Sequence, residues 1–208
     1  MADVPVGLFV TFEGVEGAGK TTQIARLRDY LQEAGRAVCV TREPGGDSVA
    51  ETVRRLLLEQ EMAPRAELLL FLAARAQNVE KVIRPHLEMG ATVLCDRFID
   101  SSIAYQGCAR GLGRDTVFHL NAFAIDGVLP DLTILLDLPP EIGLARQTDR
   151  NRMEAENLEF HQRVREGFLL EAANNPARFC VLDARQDKSA LHATIRERVS
   201  ALLADRHD

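Results

Sequence analysis

The sequence predicts an α/β fold: a three-layer domain in which a parallel five-stranded sheet is flanked by helices, one domain over residues 1–208. Three observations carry this. Short apolar, β-prone runs alternate with stretches of helical periodicity along the whole chain. The first such pair is joined by a glycine-rich loop, Gly14-Val15-Glu16-Gly17-Ala18-Gly19-Lys20-Thr21. Hydrophobic content of 46% and charged content of 27% describe one ordinary core rather than a disordered or membrane-bound chain.

The loop fits G-x-x-x-x-G-K-[ST], and its context matters more than its letters. Residues 8–12 before it form a strand pattern. After it, Ile24, Leu27, Tyr30 and Leu31 recur at helical spacing, and Gly35 stands where a C-terminal cap belongs. Strand, glycine loop and helix aim backbone N–H groups and a helix N-terminus at phosphates. Gly14, Gly17 and Gly19 let the backbone approach the anion, Lys20 reaches the β- and γ-phosphates as a solvent-facing cation, and the Thr21 hydroxyl ligates magnesium. The competing reading is an ordinary glycine-rich turn. The context favours a P-loop NTPase fold that binds a nucleoside triphosphate.

Residues 37–41 form a second strand pattern that leads into Arg42-Glu43-Pro44-Gly45-Gly46. Ser48 and Glu51 read as a capping box for a helix carrying Val53, Leu56 and Leu57. Arg42 and Glu43 thus lie in a strand-to-helix loop, as ligand groups or as a solvated ion pair. Residues 66–89 read as mainly helical, with Pro85 a kink or break. There Leu68, Phe71 and Arg75 share a face: an aromatic and a guanidinium for one planar ligand, or a core ring beside a solvated charge. Residues 91–95 are the third strand pattern and end in Asp96-Arg97, the position at which an open α/β sheet binds ligands. Ser101, Ser102, Tyr105 and Gln106 follow, as ligand contacts or as helix-start decoration.

Residues 131–138 are the fourth strand pattern, and residues 141–147 a helix. The stretch 146–152 holds Arg146, Arg150 and Arg152 with no large apolar anchor before Met153. It reads as a mobile cationic flap or as a solvated helix. A helix over 154–173, a strand over 179–182 and an amphipathic helix over 191–203 complete the chain. Right-handed crossovers gather the P-loop, Arg42-Glu43 and Asp96-Arg97 at one edge of the sheet.

The formal charge of −6 argues against a nucleic-acid surface. No apolar run is long enough to span a bilayer, and the N-terminus is read as lacking the basic and apolar regions of a signal peptide. Cys39, Cys95, Cys108 and Cys180 lack metal-ligand spacing and read as reduced thiols of a cytoplasmic protein.

Taken together, Phe12-Glu13-Gly14 running into the P-loop, Arg42-Glu43-Pro44-Gly45-Gly46, Phe71-Leu72-Ala73-Ala74-Arg75, Asp96-Arg97-Phe98, Ala104-Tyr105-Gln106-Gly107 and Pro130-Asp131-Leu132 resemble the thymidylate kinase family over nearly the whole chain. The resemblance implies transfer of the γ-phosphoryl group of ATP to dTMP, with Mg2+, in a homodimer. It implies that Gly14, Val15, Glu16, Gly17, Ala18, Gly19, Lys20, Thr21 and Thr22 hold ATP, with Arg146 and Arg185 near the adenine. On the dTMP side it implies stacking on Phe71 and a hydrogen bond from Arg75 to the base. Ser102 and Gln106 also contact the base, Tyr105 and Glu16 lie by the sugar, and Arg97 and Arg42 hold the phosphate. Lys20, Arg97, Asp96, Glu13 and a lid arginine carry catalysis, and Thr21 and Asp96 the metal.

The P-loop offers Glu16 and Ala18 but no arginine, so the resemblance is to the bacterial-type subgroup, whose lid (about residues 146–157) supplies the cation. Arg152 matches that role better than Arg150. Phe98 replaces a residue often Tyr or His, so a polar contact there is unavailable, and Asp47 replaces a usual Thr and is assigned no ligand. The competing functions are a kinase for another nucleoside monophosphate or a deoxynucleoside, a nucleotide-dependent switch, and a scaffold with a vestigial P-loop. No Asn-Lys-x-Asp guanine signature supports a GTPase switch, and intact Lys20, Thr21, Asp96 and Arg97 oppose a scaffold.

Overall fold

Five strands, all parallel, run in the order β2-β3-β1-β4-β5 in the computed structural model, which describes residues 7–146 and 151–206. They are β1 (Phe9–Glu13), β2 (Val38–Arg42), β3 (Thr92–Asp96), β4 (Leu132–Asp137) and β5 (Phe179–Asp183). The central strand β1 is buried throughout, and β3 and β4 are buried up to their last residue. That is why they read as unbroken apolar runs: a parallel sheet is covered on both faces. The edge strands β2 and β5 are only partly covered.

Helix α1 (Lys20–Glu33) follows the P-loop, and α2 (Ser48–Glu59) and α3 (Pro64–Asn78) link β2 towards β3. A π-helical turn at Val79–Ile83 joins α3 to α4 (Arg84–Glu88). After β3, α5 (Ile99–Ser102) runs into a second π-helical segment, Ile103–Ala109, and then α6 (Arg114–Ile125). Helix α7 (Pro140–Ala145) follows β4, and α8 (Leu158–Asn174) and α9 (Lys188–Ala204) flank β5. The main core lies between the sheet and α1, α8, α9 and the second π segment, around Phe12, Leu27, Leu94, Ile134, Val164 and Phe168.

The register performs the gathering that the crossover rule anticipates. Arg42 pairs with Asp96, and Asp96 pairs with Phe12. Backbone bonds continue past the strand ends, from Glu43 N–H to Asp96 O at 2.9 Å and from Arg97 N–H to Phe12 O at 2.9 Å. Three strand ends therefore present their next residues to one space.

Several expectations are corrected. The cap of α2 is Asp47, whose Oδ1 accepts from Ala50 N–H at 2.8 Å, so Ser48 is the first helical residue. Glu51 accepts from Arg42 and from Gly46 N–H instead of closing a box with Ser48. Pro85 does not break its helix, because it stands in the first turn of α4, where its missing N–H has no intrahelical role. The irregularity precedes it, as the π turn. Helix α8 starts at Leu158, behind an Asn157 cap that accepts from Phe160 N–H at 2.8 Å, and residues 152–155 form turns instead.

Candidate functional site

The P-loop wraps the N-terminus of α1. Gly19 is the N-cap, at φ 95°, a left-handed conformation that glycine adopts without steric cost, and among the described residues no side chain caps the helix. Its first N–H groups are thereby left for an anion. Gly17 stands against Gly143 of α7, whose carbonyl oxygen would lie 2.5 Å from an added Cβ. Val15 and Ala18 are packed into the core, so they offer a ligand their backbone alone. Thr22 sits half-buried in the first turn of α1.

Lys20 differs from its solvent-facing reading: it is buried, and its Nζ donates to Gly14 O at 3.0 Å and Val15 O at 3.2 Å. Burial, then the nearby Arg97 cation, lowers its pKa to about 8. Arg146 donates to Gly17 O at 2.7 Å and so lies on the loop. Arg185 remains on an exposed pair with Asp183, 2.7 Å at its closest.

Beside the loop opens a cleft. It is lined by Glu16, Phe71, Arg75, Arg97, Tyr105 and Gln106, and Ser102 also faces it, so most of the acceptor-side set meets in one cavity. Arg97 occupies the left-handed region, at φ 70°, in the turn after β3. For a bulky side chain this conformation is strained and is held by its surroundings. Its guanidinium donates to Glu16 Oε1 at 2.9 Å and to Ser101 Oγ at 3.2 Å, and it lies 5.1 Å from the centre of the Tyr105 ring. Tyr105 OH donates to the same Glu16 oxygen at 2.5 Å. Burial alone would raise the Glu16 pKa, but Arg97, His161, Lys20 and Tyr105 hold it well below the usual range. The Arg97 cation is stabilised in turn: burial opposes it, and Tyr105, Glu16 and Asp96 outweigh that.

Arg75 is neither a solvated arginine nor a free base reader. It is 1% exposed. Nε donates to Glu43 at 2.6 Å, Nη1 to Ser102 at 2.9 Å and to Asn121, and Nη2 to the Phe98 carbonyl at 2.9 Å. A guanidinium has about five N–H donors, so about one remains for the cleft. Phe71 is half-buried, which leaves ring surface facing the same cavity.

Arg42 lies elsewhere, exposed and paired to Glu51 at 3.1 Å. It lines a neighbouring depression together with Thr21 and Asp96. Thr21 and Asp96 thus share one space, and a hydroxyl with a single carboxylate is a donor set that suits magnesium, which keeps waters and phosphate oxygens as its other ligands. Glu13, under the loop, accepts from Phe98 N–H at 2.7 Å and Ser101 Oγ at 2.6 Å. Burial, reinforced by Asp100, raises its pKa to about 7.

Arg152 does not reach the P-loop. Its Nη1 pairs with Glu67 at 2.7 Å and its Nε donates to Leu57 O at 3.0 Å, whereas its neighbours Asn151, Met153 and Glu154 line the cleft. The expected loose flap is thus anchored at both of its described arginines, Arg146 and Arg152. Arg150 lies outside the described residues.

Sequence reasoning missed Arg54, Glu67, Asn121 and His161. Arg54 lines the cleft and donates to Pro44 O at 2.9 Å. Its signal was positional: it lies four residues after Ala50 and three before Leu57, the buried residues of α2. Glu67 is one turn before Phe71 on the face that carries Arg75. Asn121 and His161 gave no signal beyond their residue type. His161 Nδ1 is 3.6 Å from Glu16 Oε2.

A family model described as Thymidylate kinase matches residues 12–195. A thymidylate kinase of Solidesulfovibrio magneticus is 53% identical over 94% of this chain and 100% of its own. One of Geobacter sulfurreducens is 50% identical over 92% of this chain and 96% of its own. The crystal structure of thymidylate kinase from Ehrlichia chaffeensis superposes with a TM-score of 0.78 at 38% identity, covering 94% of this chain and 99% of that one.

Proposed function

The chain belongs to the thymidylate kinase family and phosphorylates dTMP to dTDP; we propose that it does so by in-line transfer from magnesium-bound ATP on the P-loop to dTMP in the adjoining cleft, under an arginine-bearing lid. The observation that carries this reading is the convergence of the P-loop, Arg97 and the Phe71–Arg75 face on contiguous space at the ends of β1, β2 and β3.

The acceptor is an ionised phosphate, so no strong base is needed, and catalysis consists mainly of alignment and charge neutralisation. Lys20 and the N–H groups of the loop and of α1 hold the β- and γ-phosphates. Arg97 holds the acceptor phosphate from its fixed, strained turn, Arg54 adds positive charge in the same cleft, and Arg42 does so from the neighbouring depression. Thr21 and Asp96 hold the magnesium ion, which supplies Lewis-acid neutralisation of the phosphate oxygens. Phe71 stacks on the base, Arg75 donates to its carbonyl, and Tyr105 and Glu16 fix the sugar. Arg152 serves as the lid cation once it exchanges Glu67 for the transferring group. Arg146 is a second candidate, because it already lies on Gly17 O.

No helix among the described residues is long and apolar enough to cross a membrane. The same reading includes a cytoplasmic, homodimeric enzyme. Support for the dimer comes from Phe118 and Phe123 of α6, 45% and 90% exposed, and Leu69 of α3 at 59%, on two helices that pack together. The test of the mechanism is 31P NMR of ATP, dTMP and Mg2+ with the enzyme, repeated after chelation and with Asp96→Asn. The expected result is dTDP and ADP in equal amounts, lost on chelation and slowed about a hundredfold or more in the variant. Free phosphate in place of dTDP, or an undiminished Asp96→Asn rate, contradicts it.

A further inference from the structure

Three groups converge on one buried carboxylate outside the cleft. Glu67 is 1% exposed. Its Oε1 accepts from Gln106 Nε2 at 2.9 Å and from Arg110 Nε at 3.2 Å, and its Oε2 from Arg152 Nη1 at 2.7 Å and Arg110 Nη2 at 3.3 Å. Arg110 is held in its own right by Glu156 at 2.6 Å and by the Phe160 ring, whose centre is 4.6 Å away. Two cations on one carboxylate keep it ionised; although burial works against this, the Gln106, Arg110 and Arg152 hydrogen bonds hold its pKa below the usual range.

An ionised carboxylate accepts and never donates. The amide of Gln106 therefore has one permitted orientation here: its NH2 faces Glu67, and its carbonyl oxygen is left for the opposite side. Gln106 lines the cleft, and Glu67 does not. The glutamine is 1% exposed, so a flipped amide would set its carbonyl oxygen against the Glu67 carboxylate in a buried site, where screening is weak.

We propose that Glu67 is a specificity-determining positioning residue: by fixing the amide of Gln106, it makes that side chain a hydrogen-bond acceptor towards the nucleobase. This rests on the dTMP reading of the cleft. Thymine and uracil present an N3–H donor between two carbonyls, whereas cytosine presents an unprotonated N3 beside an amino group. An acceptor at Gln106 next to the donor at Arg75 matches the first pattern and opposes the second at both positions. Ser102, which also faces the cleft, is committed to Arg75 through its oxygen, so the polarity of the wall is set from behind at two places.

The test is the ratio of kcat/KM for dTMP to that for dCMP. Glu67→Gln keeps the shape but can donate as well as accept, which frees Gln106 to turn over. The ratio is expected to fall roughly tenfold or more, the scale of one mismatched hydrogen bond in a desolvated site. Release of Arg152 in this variant alters lid chemistry for both substrates alike and cancels in the ratio. Glu67→Asp, which can only accept, is expected to hold the ratio within about threefold even where stability falls. Arg110→Gln removes a partner of Glu67 without neutralising it and is expected to leave the ratio unchanged. Equal ratios in wild type and a folded Glu67→Gln overturn the proposal, as does an equal loss in all three variants, which would mean mere loosening.

Should Glu67→Gln fail to fold, the wild-type enzyme decides with 3-deaza-dTMP, which carries C–H in place of N3–H. Binding about tenfold weaker than dTMP is expected, and equal binding overturns the acceptor assignment. A wild-type enzyme that does not prefer dTMP to dCMP would instead defeat the reading of the cleft itself.

Discussion

Replacing Arg75 is expected to injure the fold before it injures catalysis, and the repair is specific. Arg75 and Glu43 form a buried pair at 2.6 Å, with side chains 1% and 2% exposed. Burial raises the Glu43 pKa, and the Arg75 cation offsets part of that rise. Arg75→Met removes the cation at nearly constant volume and leaves Glu43 with Asn78 Nδ2, at 3.2 Å, as its hydrogen-bond partner among the described residues. Breaking one side of such a pair costs about 3–5 kcal/mol, while replacing both partners is often near neutral. Against a total of roughly 5–15 kcal/mol this is a large fraction, equivalent to a Tm lower by about 6–20 °C in a chain of this size. Adding Glu43→Gln should return at least half of the loss. Urea unfolding of the two single variants and the double variant, with kcat/KM for dTMP measured below the transition, separates the effects: the double variant should regain stability but remain roughly tenfold or more impaired towards dTMP. An Arg75→Met protein as stable as wild type, or a double variant no better than the single, would refute the ion-pair reasoning.

Further outcomes follow from the same geometry. Lys20→Ala should lower kcat about a hundredfold or more; because Nζ also braces two P-loop carbonyls, it should cost about 1–3 kcal/mol by urea unfolding. Arg152→Ala should reduce kcat far more than it weakens dTMP binding in steady-state assays, and an effect confined to the KM for ATP would make Arg152 a ground-state clamp. If Arg146→Ala shows the larger kcat loss, the lid cation is Arg146. Glu13, with a folded pKa near 7 against an ordinary value of 4.5, binds more protons folded than unfolded between those values. Its contribution is therefore full below about pH 4.5 and lost as pH rises through 7. Wild type should then lose about 3 kcal/mol relative to Glu13→Gln across that window, measured as the pH dependence of the difference in unfolding free energy. A flat difference would rule out the raised pKa.

The fold was legible because its signals are local. Strand patterns, the glycine loop and the crossover rule together fix which ends meet, and the pairing of Arg42 with Asp96 and of Asp96 with Phe12 bears them out. Boundaries were less so: Asp47 took the cap assigned to Ser48 because its carboxylate reaches Ala50 N–H, and either residue type suits that role. Within the site, residue type announced Lys20, Asp96 and Arg97, whereas long-range pairing decided what Arg75 and Arg152 do. Arg75 is bound by Glu43, Ser102 and Asn121, and Arg152 by Glu67. No spacing rule links residues tens of positions apart, so a buried polar partner such as Asn121 stays silent until the helices are packed, and the helical position of Glu67 does not say which cations it will bind.

The most direct test of the central claim is a coupled assay of ADP formation with dTMP, dUMP and dCMP as acceptors. Arg75 has a donor to offer at the base and no acceptor, which favours a carbonyl at position 4. The account predicts efficient use of dTMP. dUMP should be about fivefold poorer, the loss of one buried methyl contact, and dCMP roughly tenfold to over a hundredfold poorer, from donor facing donor in a desolvated site. Phosphorylation of dCMP as efficient as that of dTMP would contradict it.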